Sequence, residues 1–247
     1  MLRLLLHAFA VVILTLLTQM GGLAWLVSRA FRRKIFVFLL VYAALSLGAA
    51  GLAPVFGRQA LPCVEQDGLA MHSPLFCVLN RHYVVPEMAS VLEDTADRMM
   101  ASHPGTRLRV LDAGFPFLDG FPLLPHLSHD DERKADLAFL YRSPEGSVTS
   151  ATPSPVGYLA FEEGPTGCPP AWPTLRWDLG WLQGLWPPLA LDETRTGDLV
   201  RTLAADPRVG RLFLEPHLQD RLGVTGPKVR FQGCRAARHD DHMHVEL

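Results

Sequence analysis

Two long apolar runs open the chain. Residues 4–27 and residues 35–56 are each free of Asp, Glu, Lys and Arg. About 20 apolar residues in a helix are enough to cross the hydrocarbon core of a bilayer. The pattern therefore predicts a transmembrane helical hairpin over residues 1–57, with spans at about 4–27 and 35–56. A cleavable signal peptide is the alternative for the first run, but its apolar region would be shorter, about 7–15 residues.

Residues 58–247 show mixed helical and strand patterns and are predicted to form one domain. Residues 86–100 begin with Pro and repeat apolar residues at helical spacing, whereas residues 107–111 and 135–141 are predicted strands. Further predicted elements are a short strand at 158–161, a helix at 196–205, a strand at 210–215, a helix at 216–222 and a strand at 243–247. Without a regular βαβ alternation, this order favours an α+β fold.

The charges divide the chain at the same place. Residues 1–57 carry five basic residues and no acidic one, although the whole chain has 23 Lys and Arg against 25 Asp and Glu. Four of the five lie at 29–34, between the two runs, and loops rich in Lys and Arg stay in the cytoplasm. The prediction is a bacterial inner-membrane protein with its C-terminal domain in the periplasm. The overall net charge of −2 argues against nucleic-acid binding.

All four cysteines follow the second run, at positions 63, 77, 168 and 234. An even number of cysteines in an exported domain predicts two disulfides, for which three pairings are possible. Closeness in sequence favours Cys63–Cys77, which leaves Cys168–Cys234. No Cys-x-x-Cys motif occurs, so a cysteine zinc knuckle or a thioredoxin-like motif has no support.

Five of the ten histidines fall in two short clusters. The first cluster is His126 and His129, followed by Asp136; the second is His239, His242 and His244. Residues two apart in a strand point to the same face, so His242 and His244 are expected to project together. Two neutral imidazoles and a carboxylate suit Zn²⁺ and leave its fourth position for water. The alternatives are ordinary surface or core histidines and an adventitious metal-binding segment.

The histidine spacing resembles that of a known group of enzymes. A His-x6-Asp motif followed far downstream by His-x-His resembles the LAS metallopeptidases. An additional histidine three residues before each motif resembles, within that group, the penicillin-insensitive murein endopeptidases. The resemblance implies a small antiparallel sheet flanked by helices. It implies His129, Asp136 and His244 as zinc ligands, His242 as the catalytic base, and His239 and His126 as supporting catalytic residues.

The function implied is that of a membrane-anchored zinc peptidase. It would hydrolyse amide bonds in peptidoglycan peptide crosslinks, with peptidoglycan peptides and the lipid bilayer as partners. The alternative is a non-catalytic, zinc-stabilised module that binds the wall or a protein partner. The acids that flank the clusters, Asp130, Asp131, Asp240 and Asp241, could accept hydrogen bonds from the imidazole N–H groups. Such acids are more often solvated, so they are left out of the site. The arginine that the family carries upstream of the first histidines is not found near residues 114–117.

Overall fold

The computed structural model describes residues 1–172 and 176–247, and its first part is helical. Three helices, α1 (Leu2–Thr18), α2 (Gly21–Ser28) and α3 (Lys34–Leu52), precede the domain, and a 3-10 turn follows at Ala53–Phe56. By length and composition, Lys34–Phe56 is the one segment within the described residues that is long and apolar enough to cross a membrane.

The predicted span at 4–27 is wrong as a continuous helix. The chain leaves α1 at Gln19, whose φ is 65°, and α2 folds back along α1. Gly22 makes this packing possible, because a Cβ atom there would lie 2.7 Å from the carbonyl oxygen of Val11. The predicted two-helix hairpin is therefore replaced by a broken helix pair followed by one apolar helix.

The domain contains short strands and five helices among the residues described. The strands are β1 (Gln59–Ala60), β2 (Leu69–Met71), β3 (Tyr83–Val84), β4 (Leu108–Val110), β5 (Lys134–Ala138), β6 (Tyr141–Arg142), β7 (Val148–Thr149), β8 (Ala190–Leu191), β9 (Arg211–Phe213), β10 (Val229–Arg230) and β11 (His242–Glu246). The helices are α4 (Pro74–Val78), α5 (Pro86–Ser102), α6 (Gly180–Gln183), α7 (Glu193–Ala205) and α8 (Pro216–Leu222). The predicted mixture of helices and strands is confirmed.

The main sheet has six strands in the order β10-β9-β11-β5-β4-β2. Its four inner strands are antiparallel, but β2 pairs with β4 and β10 with β9 in parallel, so the predicted antiparallel sheet is correct only at its centre. Helices α5 and α7 contribute buried apolar side chains to the core that the sheet shares. The predicted strand at 135–141 divides into β5 and β6, which belong to different sheets, and no strand forms at 158–161.

The helical segment contacts the domain directly. The Tyr42 hydroxyl of α3 donates to the carbonyl oxygen of Val78 at 2.5 Å, and the Asn80 amide donates to Tyr42 at 2.9 Å and to Ser46 at 3.1 Å. Just beyond the 3-10 turn, buried Arg58 pairs with Glu132 at 2.5 Å. The domain thus packs against α3 rather than hanging from it.

Both predicted disulfides are present. Cys63 is joined to Cys77 and Cys168 to Cys234, with Cα–Cα distances of 6.1 and 5.5 Å. Disulfides persist in oxidising compartments outside the cytosol. Together with the apolar helix they indicate a membrane-anchored domain outside the cytosol.

Candidate metal centre

The register of β5 and β11 brings the two sequence motifs together. His244 lies directly opposite Asp136, so the two side chains project from the same face of the sheet. His242 shares that face, because it precedes His244 by two residues. The intervening Met243, like Leu137 beside Asp136, is fully buried on the opposite face. Core packing on one face therefore fixes the polar residues on the other.

His129 reaches the same point from the loop that precedes β5. Its side chain is fully buried, and its Nδ1 lies 2.8 Å from the carbonyl oxygen of Ala113. A carbonyl oxygen can only accept, so the hydrogen is assigned to Nδ1, and the lone pair on Nε2 faces Asp136. The carbonyl of Ala113 thus orients the ring as metal-binding histidines are usually oriented.

Three atoms with lone pairs meet at this point. His129 Nε2 lies 3.0 Å from His244 Nδ1 and 3.2 Å from Asp136 Oδ1, and the last two atoms are 2.8 Å apart. Ligands bound at about 2.0–2.1 Å to a tetrahedral zinc would lie roughly 3.3 Å apart. The spacing therefore comes within about half an ångström of that of a three-ligand metal centre.

The positions of the hydrogens on His129 and His244 favour a cation between these two side chains and Asp136. His244 Nε2 lies 3.4 Å from Glu246 Oε1, which leaves the Nδ1 lone pair towards Asp136. With both imidazoles in these tautomers, the three converging atoms are all acceptors and repel one another. Either a proton or a metal cation must lie among them. Burial lowers the pKa of His244, but hydrogen bonds to Asp136 and Glu246 outweigh it and raise the pKa, which reflects this same requirement.

Asp136 is the negative charge at the centre of the cluster. Burial alone would raise its pKa, but His129, His242 and His126 together hold it well below the usual range of a carboxyl group. Burial lowers the pKa of His129, against the attraction of Asp136. Asp136 is therefore ionised and His129 neutral, the protonation states in which both bind metal ions.

His126 lies on the solvent side of the cluster. Its Nδ1 is 3.1 Å from Asp136 Oδ2 and 3.3 Å from Asp112 Oδ2. Burial lowers the pKa of His126, but the two carboxylates outweigh burial and raise the pKa to about 10. In this arrangement His126 is a cation held between two carboxylates, beside the predicted ligands.

An arginine that sequence analysis missed supports this side of the cluster. Arg81 holds Asp112 in a bidentate ion pair, with its Nε 2.8 Å from Oδ1. Its Nη1 donates to the carbonyl oxygen of Leu124 at 2.8 Å, just before the segment with His126. Arg81 lies between α4 and β3, so an arginine from upstream of the first histidine motif joins this side of the cluster.

His242 has a carboxylate partner of its own. Its Nδ1 lies 2.5 Å from Asp241 Oδ1, and its Nε2 lies 3.7 Å from Asp136 Oδ2. The carboxylate fixes the ring so that Nε2 faces the cluster. Asp241 is 4% exposed and Asp240 is fully buried, so the expectation that these acids are solvated is wrong.

His239 and Tyr158 complete the surroundings. The His239 ring lies 5.0 Å from that of His242, and burial, followed by the neighbouring histidines, lowers the pKa of His239 well below its ordinary value. The Tyr158 hydroxyl donates to Asp136 Oδ2 at 2.7 Å. Tyr158 belongs to the loop after β7, far from either motif, and no spacing in the sequence could have identified it.

One cavity of about 270 Å³ joins all six residues predicted for the site. They are His126, His129, Asp136, His239, His242 and His244. His126, His129 and Asp136 meet the distance requirements of a metal-binding group, as do Cys63, Cys77 and His82. In the second group both sulfur atoms are used in the disulfide, so it offers no thiolate ligand. The structure therefore supports one metal centre of His and Asp, while the individual roles remain predictions.

The chain matches no protein-family model and no curated protein.

Proposed function

We propose that this protein is a membrane-anchored, zinc-dependent peptidase that hydrolyses amide bonds in peptidoglycan peptide crosslinks. The observation that carries the proposal is the convergence of His129 Nε2, Asp136 Oδ1 and His244 Nδ1 within 3.2 Å of one another, beside a carboxylate-oriented histidine. Three ligands leave a tetrahedral metal one position for substrate or water, which is typical of catalytic rather than structural zinc.

The donor set fits zinc. Two imidazole nitrogens and one carboxylate oxygen are common zinc ligands, and no thiolate takes part. His129 and His244 each have a partner on the other ring nitrogen, which is the usual arrangement around a bound metal. When bound, zinc would make water acidic near neutral pH and polarise a carbonyl group.

His242 is the residue that we propose to move the proton. Asp241 holds its Nδ1, so the Nε2 atom is the one that accepts a proton from the attacking water and returns it to the departing amine. The same pairing stabilises the imidazolium that forms in between. His126 would donate a hydrogen bond to the negative charge that develops on the substrate oxygen.

The substrate assignment rests on the resemblance and on the rim of the cavity. Arg235 and Gln232 line the cavity and lie a few residues before His239 in sequence. A guanidinium suits the free carboxylates that peptidoglycan stem peptides carry, and an amide side chain suits a peptide bond. The apolar helix Lys34–Phe56 and the basic loop before it support an inner-membrane location with the domain in the periplasm.

The metal is tested first, on the full chain in detergent. His129→Ala, Asp136→Ala and His244→Ala should each lose zinc, because three ligands leave no redundancy. His103→Ala is the matched control, since this histidine pairs with Asp198 at 2.8 Å, away from the site. Metal analysis should find one zinc per chain in the wild type and the control. Full occupancy in the three ligand variants would show that the ligands have been misassigned.

Catalysis is tested with His242→Ala. This variant should keep zinc, but its rate of muropeptide hydrolysis should fall by roughly 10²–10⁴-fold, the usual contribution of an acid–base group. If His242 is itself a ligand and His244 is not, zinc is lost in His242→Ala and kept in His244→Ala. A wild-type protein that holds zinc but hydrolyses no muropeptide would favour the alternative, a non-catalytic binding module.

A further inference from the structure

A second cavity lies beside the metal centre and shares lining residues with it. Its volume is about 460 Å³, within the range of pockets that hold small organic ligands. His126 and His242 line both this cavity and the metal cavity. A group bound here would therefore lie next to the amide bound at the metal centre. We call this second cavity the side cleft.

The walls of the side cleft are apolar. Six of the residues that line it are Leu75, Phe76, Leu79, Val156, Leu159 and Phe161. Its charged residues already have partners within the protein: Arg81 is paired with Asp112, Arg238 with Asp240, and Asp241 with His242. A cleft for a sugar or a charged peptide needs unpaired polar groups, since an unmatched polar atom is costly to bury. The side cleft instead favours a hydrocarbon group.

Helix α4 places this cleft next to the membrane-spanning segment. Leu75 and Phe76 line the cleft, whereas the carbonyl of Val78, at the end of the same helix, accepts a hydrogen bond from Tyr42 of α3. Tyr42 precedes the last residue of α3 by ten positions, or about 15 Å at 1.5 Å per residue. One wall of the cleft therefore meets α3 within its apolar stretch.

Exposed apolar side chains continue from α3 to the mouth of the cleft. Val78 is 60% exposed and Leu75 is 46% exposed, both on α4. Exposed leucine and valine beside a membrane span are stabilised by contact with lipid, because they would otherwise face water. The exposed face of α4 is therefore apolar where it lies between α3 and the side cleft.

We propose that the side cleft holds the hydrocarbon chain of the substrate, so that the enzyme acts on lipid-linked peptides at the membrane surface. This inference rests on the proposed function and specifies its substrate class. The chain in the cleft would anchor the peptide while the adjoining amide reaches the metal cavity. Peptides cut from the wall, which have no such chain, would bind more weakly.

The test uses the full chain in phospholipid nanodiscs and two peptides with the same scissile amide. One carries an N-terminal palmitoyl chain and the other an acetyl group. The wild type should prefer the palmitoylated peptide in kcat/KM. Leu75→Gln and Leu79→Gln should each reduce this preference by about tenfold, because they place an amide in an apolar pocket. Leu185→Gln, an exposed leucine outside the cleft, controls for simple partition of the peptide into the nanodisc and should keep the preference.

Two results would count against the inference, and they differ from failure of the proposed function. If the wild type cuts both peptides and both cleft variants keep its preference, the chain is not bound in the cleft, although the peptidase proposal stands. If the wild type cuts neither peptide, the peptidase proposal fails. Binding of a fluorescent palmitoylated peptide then tests separately whether the side cleft holds the hydrocarbon chain. Weaker binding by Leu79→Gln than by Leu185→Gln supports the cleft, and equal binding overturns it.

Discussion

Tyr158 links the ligand set to the histidines beside it. Its hydroxyl donates to Asp136 Oδ2, and its ring lies 4.9 Å from the rings of both His126 and His242. Burial, followed by the charge of Asp136, raises the pKa of Tyr158 well above its ordinary value, so it remains a donor. The Tyr158 hydroxyl therefore occupies Oδ2 of Asp136, and Oδ1 is the oxygen that faces the predicted metal position.

Removing this hydroxyl should weaken the site without emptying it. Tyr158→Phe keeps the ring but frees Asp136 Oδ2, and loss of such a partner typically costs about 10–100-fold in metal affinity. Tyr141→Phe is the control, because Tyr141 is a buried tyrosine whose hydroxyl pairs with Glu162 rather than with Asp136. Zinc affinity measured by competition with a chelator should fall in the first variant alone. An unchanged affinity in Tyr158→Phe would mean that the hydroxyl has no role in holding Asp136.

His82 predicts a loss of stability in acid that is independent of the metal centre. Burial lowers its pKa to about 4, against a hydrogen bond from the imidazole to the backbone of Phe76. Between this value and the ordinary pKa of 6.5, the unfolded chain binds more protons than the folded one, so stability falls as pH decreases through that window. A shift of this size corresponds to at most about 3 kcal/mol.

Replacement of His82 should therefore reduce acid sensitivity. His82→Gln cannot be protonated, so its unfolding midpoint should fall less between pH 7 and pH 4.5 than that of the wild type. His103→Gln, at a partly exposed histidine, should behave like the wild type. Thermal unfolding of the full chain in detergent measures the difference. Parallel pH curves for wild type and His82→Gln would contradict the prediction.

At the scale of elements, the long periodic segments could be predicted and the short ones could not. Helix α5 was predicted within two residues of its observed end, because Met88, Leu92 and Met99 repeat on one buried face. Strands such as β2 have three residues, too few to show alternation. The predicted strand at 135–141 divides because Phe139 and Leu140 are both buried, which gives a continuous apolar run without a period of two.

The break in the first apolar run has a similar explanation. The residue in the left-handed conformation is Gln19 rather than a glycine, so composition gives no sign of the turn. For the site, the spacing of the histidines and the resemblance based on it identified the six clustered residues. Sequence analysis missed Arg81, whose distance from both motifs gives no sign of its role, and it set Asp241 aside because a sequence does not show which acids are buried.

The two disulfides close loops of very different length, and this difference gives a prediction. Cys63 and Cys77 are 14 residues apart, whereas Cys168 and Cys234 are 66 apart. On the chain-entropy model, loss of the longer crosslink costs about 4 kcal/mol and loss of the shorter about 3. The double variants Cys168→Ser/Cys234→Ser and Cys63→Ser/Cys77→Ser should therefore lower the unfolding midpoint in that order. The reverse order would indicate that local contacts, rather than loop length, determine the cost.

At the scale of the whole molecule, the anchor is part of the folded unit. Met20, Ala49 and Ala53 form a buried cluster with Tyr83 of the domain, which is fully shielded from solvent. The backbone amide of Phe117 donates to the side chain of Gln19 at 3.2 Å. The helices therefore cover domain surface that would otherwise be exposed.

Removal of residues 1–57 should accordingly destabilise the domain. A fragment of residues 58–247 exposes Tyr83 and leaves Asn80 without Tyr42 and Ser46, so amides of residues 80–84 should exchange hydrogen faster than in the full chain. Tyr42→Phe in the full chain is a milder variant, expected to cost about 1 kcal/mol for its lost hydrogen bonds. Equal exchange in the fragment and the full chain would show that the anchor is only a tether.

His244 of β11 lies opposite Asp136 of β5, so the metal centre forms only when the two strands pair in this register. A slip of one residue would turn every β11 side chain to the opposite face. Met243 would then stand beside Asp136, while two imidazoles entered the apolar core. Such a molecule would keep its disulfides and most of its helices, yet lack the cluster. Metal uptake by a preparation would therefore measure the fraction of molecules in which the two strands are correctly aligned.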